Sequence, residues 1–265
     1  MSDSLVSIII PTYNSERTIG ICLKSVSEQT YPNIEVIVVD NHSIDRTREI
    51  AENFRAKVIA TRAKRSKARN LGAERSHGEM LCFVDADMEL DSTVISECVV
   101  KVGEGYEGII IPELSIGKSF WAKCKTLEKS FYLGDDTIEA IRFLKRTVFE
   151  SASGYTPDLE AGEDWDLNHR IRQLGFRVTR VTSFIKHNEG KLSLSGTFLK
   201  KHYYGKALKC YRVNHPNKQS HSLKVLRLTF IRNWRKLERD PIHAVGMFFM
   251  KSLEFMAILL GLWAS

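Results

Sequence analysis

The 265-residue chain reads as an α/β protein built on a mostly parallel sheet. Three observations predict this. Short β-branched apolar runs alternate with helical patterns, as βαβ units require. Three of these runs end in polar residues, at Pro11-Thr12-Tyr13-Asn14, Asp40 and Asp85-Ala86-Asp87, and open α/β sheets bind ligands at the carboxyl ends of their strands. The apolar fraction, 43%, suits a chain that buries a core.

Val6 to Ile10 is the first apolar run, ended by Pro11. Asn14 or Ser15 offers an N-cap for a helix from about Glu16 to Glu28. Ile34 to Val39 forms a second strand that ends at Asp40, and Asp45 to Arg55 the helix after it. Lys57 to Ala60 and Met80 to Val84 are the third and fourth strands, with a helix over Ser66 to Arg75 between them. Gly108 to Pro112 is a further strand, Lys118 to Leu133 a helix, and Phe143 to Phe149 a strand or a helix start. Gly162-Glu163-Asp164-Trp165-Asp166 opens a helix that stops near Leu174, with Gly175 as its C-terminal glycine. Arg177 to Val181 is the last strand. Phe198 to Tyr211 and Leu223 to Leu237 read as basic helices, and Ile242 to Trp263 as one long apolar helix.

The net charge of +7 points to an anionic partner: nucleic acid, phospholipid or a phosphorylated substrate. Much of it lies between Lys186 and Asp240, where fourteen Lys and Arg face three acidic residues. The expected division is a catalytic body over 1–190 and a basic helical extension over 191–265. Cys22, Cys82, Cys98, Cys124 and Cys210 are scattered, which suggests a reducing compartment and no zinc site. No basic segment followed by an apolar one opens the chain, so no secretory leader is expected.

Asp85-Ala86-Asp87 is the most informative tripeptide. Two carboxylates two residues apart at a strand end fall on one side of the chain, and their mutual repulsion calls for a cation. Oxygen donors of this kind suit Mg²⁺ or Mn²⁺, with a substrate diphosphate completing the shell. Taken alone, the tripeptide also reads as a polar strand end before a helix cap. No G-x-G-x-x-G follows the first strand and no G-x-x-x-x-G-K-[ST] occurs, so the dinucleotide and P-loop readings lose their support.

Five segments occur in the order typical of family 2 glycosyltransferases: Ser7-Ile-Ile-Ile-Pro-Thr-Tyr-Asn14, Val38-Val-Asp-Asn-His-Ser-Ile-Asp-Arg-Thr47, Lys67-Ala-Arg-Asn-Leu-Gly72, Phe83-Val-Asp-Ala-Asp87 and Gly162-Glu-Asp-Trp-Asp-Leu167. The chain resembles that family over roughly residues 5 to 190. The resemblance implies the GT-A fold, a Rossmann-like sheet flanked by helices, and a nucleotide-diphosphate-sugar donor. One departure is visible. The family often has Asp-Asp-Gly-Ser after the second strand, and here it is Asp40-Asn41-His42-Ser43, so the turn forms without glycine's freedom at positive φ. Asn and His tolerate that region better than most residues.

By this resemblance Asp40 reads the base, or else caps a turn. Pro11, Thr12, Tyr13 and Asn14 line the nucleotide pocket, and Tyr13 is also explained by packing. Arg69 holds base or diphosphate as a fixed cation, within a basic cluster of Lys64, Arg65, Lys67 and Arg69 that otherwise reads as a solvated face. Asp85, Ala86 and Asp87 line the donor site; Asp87 is the principal metal ligand, and Asp85 belongs to the metal group while contacting ribose or metal-bound water. His187 completes the metal shell or is structural. Asp164 is the general base of an inverting transfer, or one of an acidic first turn favoured by the helix dipole. Glu163, Trp165, Lys186 and Lys191 are candidates for acceptor or phosphate contacts.

The final apolar segment is long enough to span a bilayer, but Lys251 and Glu254 interrupt it on one helical face. A spanning helix would place both near mid-bilayer at high cost. Attachment along an anionic surface, packing in a homo-oligomer, or burial against the chain itself are the alternatives. The first suits a polyprenyl-phosphate or lipid-linked acceptor at the cytoplasmic membrane face. Two rivals remain at this level. A non-catalytic nucleotide-sugar sensor or scaffold is weakened by the intact carboxylates. A nucleic-acid binder lacks any recognised motif.

Overall fold

The computed structural model describes residues 4–136, 138–159, 161–214 and 229–264, with the backbone alone over 207–214. It divides into two compact units: Met1–Glu113, Gly134–Asp158 and Glu163–His187 form the first, and Leu114–Leu133, Leu159–Gly162 and Asn188–Ser265 the second.

The first unit contains a seven-stranded sheet ordered β3-β2-β1-β4-β8-β6-β9. Its strands are β1 (Val6–Thr12), β2 (Ile34–Asp40), β3 (Lys57–Ala60), β4 (Met80–Phe83), β6 (Gly108–Ile110), β8 (Ile141–Lys145) and β9 (Val178–Arg180). Only the pairings of β8 with β4 and β6 are antiparallel; the others are parallel. The continuous apolar runs follow from burial on both faces: Ile8, Ile9 and Ile10 have no exposed surface. Helices α1 (Ile19–Ser27), α2 (Thr47–Asn53) and α3 (Arg65–Glu74) connect the first four strands, followed by α4 (Val94–Gly103). Gly72 allows α3 to lie close on β1, since a Cβ there would collide with Ile9 Cγ2. Helices α6 (Arg146–Ser151) and α7 (Glu163–Gln173) complete this unit, and β5 (Met88–Leu90) pairs antiparallel with β10 (Ile185–Asn188).

Several boundaries differ from expectation. β1 continues through Pro11 to Thr12. Ile9 O accepts from Val84 N–H, so Pro11, two residues on, turns its nitrogen to the same edge, beyond the last β4 residue paired there; no ladder bond is lost. α1 begins at Ile19 rather than Glu16, because Asn14 adopts φ +48° and directs the chain into a turn first. The Phe143–Phe149 segment contains both a strand end and a helix.

The second unit is mainly helical. It holds β7 (Glu113–Ile116) from Leu114 onward, α5 (Phe120–Ser130), α8 (Leu194–Asn214), α9 (Arg235–Arg239) and α10 (Pro241–Trp263). The expected boundary at 190 assigned residues 114–133 to the catalytic body; the fold places them with the C-terminal helices. Cys124, Phe131, Met247 and Met250 form the shared apolar core. A ladder of alternating charges also runs through it. Lys125 Nζ meets Glu254 at 2.9 Å and Glu128 at 2.7 Å, and Lys251 Nζ meets Glu128 at 2.6 Å. Lys201 lies 3.7 Å from Glu254. Lys251 and Glu254 thus have partners on α5 and α8. Gly261 brings α10 against α8, where a Cβ would collide with His202 O. Within the expected Leu223–Leu237 helix, residues 223–228 lie outside the described residues, as does the Cys210 side chain.

Candidate active site

The two loops after β1 and β2 are joined by side-chain bonds. Asn14 N–H donates to Ser43 Oγ at 2.8 Å, and Ile44 N–H donates to Asn14 Oδ1 at 3.0 Å. Ser15 N–H donates to Thr47 Oγ1 at 2.7 Å, and Asp45 Oδ1 accepts from Thr47 N–H at the start of α2. His42 adopts φ +52° in the turn that lacks glycine. Tyr13 is 61% exposed and free of the core, whereas Thr12 is buried and Pro11 half-buried.

Asp40 corrects an expectation. It has no exposed surface. Thr12 Oγ1 donates to it at 3.1 Å, Ser43 N–H at 2.9 Å and Ser43 Oγ at 2.5 Å. With its oxygens engaged internally, Asp40 anchors the turn Asn41-His42-Ser43 and does not reach a base directly.

Asp85-Ala86-Asp87 is a turn and not a strand continuation: Met88 N–H donates to Asp85 O at 3.0 Å. The turn sends the two carboxylates to different partners. Asp85 accepts from Arg69 Nη2 at 2.8 Å and lies 3.8 Å from Arg142 Nη2. Burial raises its pKa, but the two guanidiniums outweigh burial and hold the carboxyl well below the usual range. The cation that Asp85 requires is therefore supplied by the chain itself, which corrects its expected place among the metal ligands. Ala86 is buried.

Arg69 is the third correction. It is completely buried, so it does not touch base or diphosphate directly. Its Nη1 donates to Asp164 Oδ1 at 3.0 Å while Nη2 holds Asp85, and its guanidinium lies 4.9 Å from the centroid of the Tyr155 ring. Burial disfavours the charge on Arg69, but Asp85 and Asp164 keep it protonated.

Asp87 is the more exposed member of the pair, and His187 Nε2 lies 3.2 Å from its Oδ2. β10 brings His187 there: it pairs with β5, which follows the turn. Among the described residues no group of three or more His, Cys, Asp and Glu side chains is positioned to hold a metal ion. One carboxylate and one imidazole fit a divalent ion whose remaining positions go to phosphate oxygens and water, as Mg²⁺ and Mn²⁺ allow.

Asp164 stands in the first turn of α7, with a quarter of its side chain exposed. Glu163 beside it is buried and paired with Arg65 at 3.1 Å. Its pKa is raised by burial and by Asp164. An acceptor contact for Glu163 is thereby overturned. Trp165 donates from Nε1 to Ile138 O at 3.0 Å and leaves much of its ring exposed. Lys186 pairs with Glu89 at 3.2 Å, and strand alternation turns it away from His187, so it is removed from the expected phosphate contacts. Lys191 lies exposed in the second unit.

Sequence reasoning missed Arg142 and Glu113. Arg142 is buried on β8, bound to Glu113 at 2.6 Å through Nε. The available signal was one arginine inside the apolar run Ile141 to Leu144. Arg65, read only as part of the basic cluster, pairs with Glu163, and Tyr155, which lies against Arg69, had no signal of its own.

Three similar proteins are the glycosyltransferase AglE of Haloferax volcanii (43% identical over 91 residues), the GalNAc(5)-diNAcBac-PP-undecaprenol β-1,3-glucosyltransferase of Campylobacter jejuni (27% over 165) and the UDP-Glc:α-D-GlcNAc-diphosphoundecaprenol β-1,3-glucosyltransferase WfgD of Escherichia coli (39% over 92). The matches cover 31%, 55% and 33% of this chain and only 30%, 53% and 36% of those proteins. In fold, the chain is similar to Staphylococcus aureus TarS 1–349 in complex with UDP-GlcNAc, with a TM-score of 0.58, 19% identity, and coverage of 87% of this chain and 73% of that one. It is also similar to the mannosyltransferase PcManGT of Pyrobaculum calidifontis in complex with GDP-Man and Mn²⁺, with a TM-score of 0.66, 16% identity, and coverage of 99% and 88%. Residues 7–155, more than half of the chain, match Glycosyl transferase family 2, and the chain belongs to that family, with its GT-A fold.

Proposed function

We propose that this protein transfers a sugar, with inversion, from a UDP- or GDP-sugar to a polyprenyl-phosphate or lipid-linked glycan at the cytoplasmic face of a membrane, attached peripherally or interfacially. The observation that carries the reading is the shared guanidinium of Arg69, which fixes a partly exposed carboxylate, Asp164, beside the Asp85–Asp87 turn. Two similar proteins are named for undecaprenyl-linked acceptors, which supports the lipid-linked class.

Asp87 and His187 would hold the Mg²⁺ or Mn²⁺, which supplies Lewis-acid neutralisation of a leaving diphosphate when bound. Tyr13, exposed on the loop after β1, and the anchored turn after Asp40 would form the nucleotide side. Asp164 has one oxygen committed to Arg69, and the other takes the proton of the attacking hydroxyl. A hydroxyl requires such a base and an ionised phosphate does not. Of the two acceptor classes, Asp164 therefore favours the lipid-linked glycan. Asp164→Asn tests the reading: donor binding is kept and transfer falls roughly 10²–10⁴-fold. Unchanged turnover would remove Asp164 from the mechanism.

A further inference from the structure

Helix α10 presents two unlike faces. Ala244, Met247, Met250, Glu254, Ala257 and Gly261 are buried within the second unit. On the opposite side Ile242, Val245, Phe249, Met256, Leu259 and Trp263 are exposed, at alternating three- and four-residue spacing once Ser252 is included. Phe248, Phe255 and Leu260 flank this stripe and are exposed as well. The helix has 23 residues, about 34 Å of length.

We infer that α10 lies in the plane of an anionic bilayer leaflet, with this stripe in the acyl region and its charged face toward the protein. The inference deepens the membrane-surface reading above and rests on it. Three arguments select this occupant and this pose. A two-helix seam with a second copy would place charged residues beside the stripe, whereas here the flanks are Phe248, Phe255 and Leu260, an apolar face wider than a seam. A spanning pose would carry Lys251 and Glu254 to mid-bilayer, together with Lys125, Glu128 and Lys201, which are tied to them; five charges at that depth are strongly disfavoured. An in-plane pose leaves the whole ladder outside the hydrocarbon. Charge complementarity then identifies the leaflet: the segment leading into α10 carries Arg232, Arg235, Lys236 and Arg239 against Glu238 and Asp240, a net positive charge beside an exposed Trp234. Basic groups of this kind are attracted to anionic headgroups, and Trp to the interface.

The test uses the full chain with vesicles of equimolar phosphatidylglycerol and phosphatidylcholine, and with phosphatidylcholine alone. Salt-sensitive cosedimentation with the anionic vesicles is expected, and Val245→Asp or Phe249→Asp weakens it at least roughly tenfold. Spin labels are placed at Val245→Cys, Ser252→Cys, Met256→Cys and Trp263→Cys in a chain that carries Cys210→Ser. Oxygen accessibility is expected to report nearly equal depth at all four. Binding with a profile deepest at Ser252 and Met256 and shallow at both ends would overturn the in-plane pose alone. Absence of vesicle binding, with self-association abolished by Phe249→Asp, would overturn both the pose and the membrane reading in favour of a second copy.

Discussion

Asp85 and Asp164 accept hydrogen bonds from the two terminal nitrogens of one guanidinium, that of Arg69, at 2.8 and 3.0 Å. Two carboxylates from distant motifs are thus held by a single buried cation, and the spacing between the Asp-x-Asp turn and the start of α7 is set by the width of an arginine fork.

Replacing that fork is the first prediction. Arg69→Lys keeps the charge and loses the two-pronged geometry. Because Arg69 is completely buried, donor affinity is expected to hold, while kcat falls about a hundredfold from misplacement of Asp164, the proposed base. Steady-state kinetics beside donor titration checks this. A matching loss of donor affinity would show that Arg69 touches the donor.

His187→Ala removes the imidazole beside Asp87. The Mn²⁺ concentration needed for half-maximal activity is expected to rise roughly 10–100-fold, with an unchanged unfolding midpoint. A metal titration with activity readout decides it, and an unchanged metal requirement would leave His187 a structural residue.

Asp40→Ala strips three internal donors of their acceptor. Hydrogen bonds to a charged group contribute roughly 1.5–3 kcal/mol, so urea unfolding is expected to show a loss of that order. An undiminished stability would contradict the anchoring role assigned to Asp40.

Acid should loosen the second unit through Glu128. Burial raises its pKa, but Lys125 and Lys251 outweigh burial and lower it from 4.5 to about 2. A carboxyl depressed in the folded state adds stability that is complete above 4.5 and disappears as pH falls toward 2. Near-ultraviolet circular dichroism across that window is the measurement, and Glu128→Gln is expected to flatten the dependence. Glu128→Ala, which leaves Lys125 and Lys251 without this partner, is expected to destabilise the unit by roughly 3–5 kcal/mol.

The first four strands and the helices between them were legible because periodicity and burial on both faces leave a local record; their order in the sheet, β3-β2-β1-β4, was not. His42 at φ +52° was legible in the same way, as a turn that has lost its glycine. Arg69 was not. Its motif marked it as important, but its guanidinium is enclosed by Asp85, Tyr155 and Asp164 from distant parts of the chain, and no local pattern reports that convergence. Lys251 and Glu254 failed for a related reason. Read alone they are costly interruptions of an apolar helix. Their partners Lys125 and Glu128 lie more than a hundred residues away in sequence, where one helix face gives no sign of them.

The stitched loops after β1 and β2 have a thermodynamic consequence. Five bonds tie Asn14, Ser15, Asp40, Ser43, Ile44 and Thr47 together, so the nucleotide side proposed above is built in advance of any ligand. Ordering a free loop residue forfeits about 1–2 kcal/mol of backbone entropy. A donor that meets this side already ordered keeps that share of its interaction energy, and the entropy lost on association is then mainly its own.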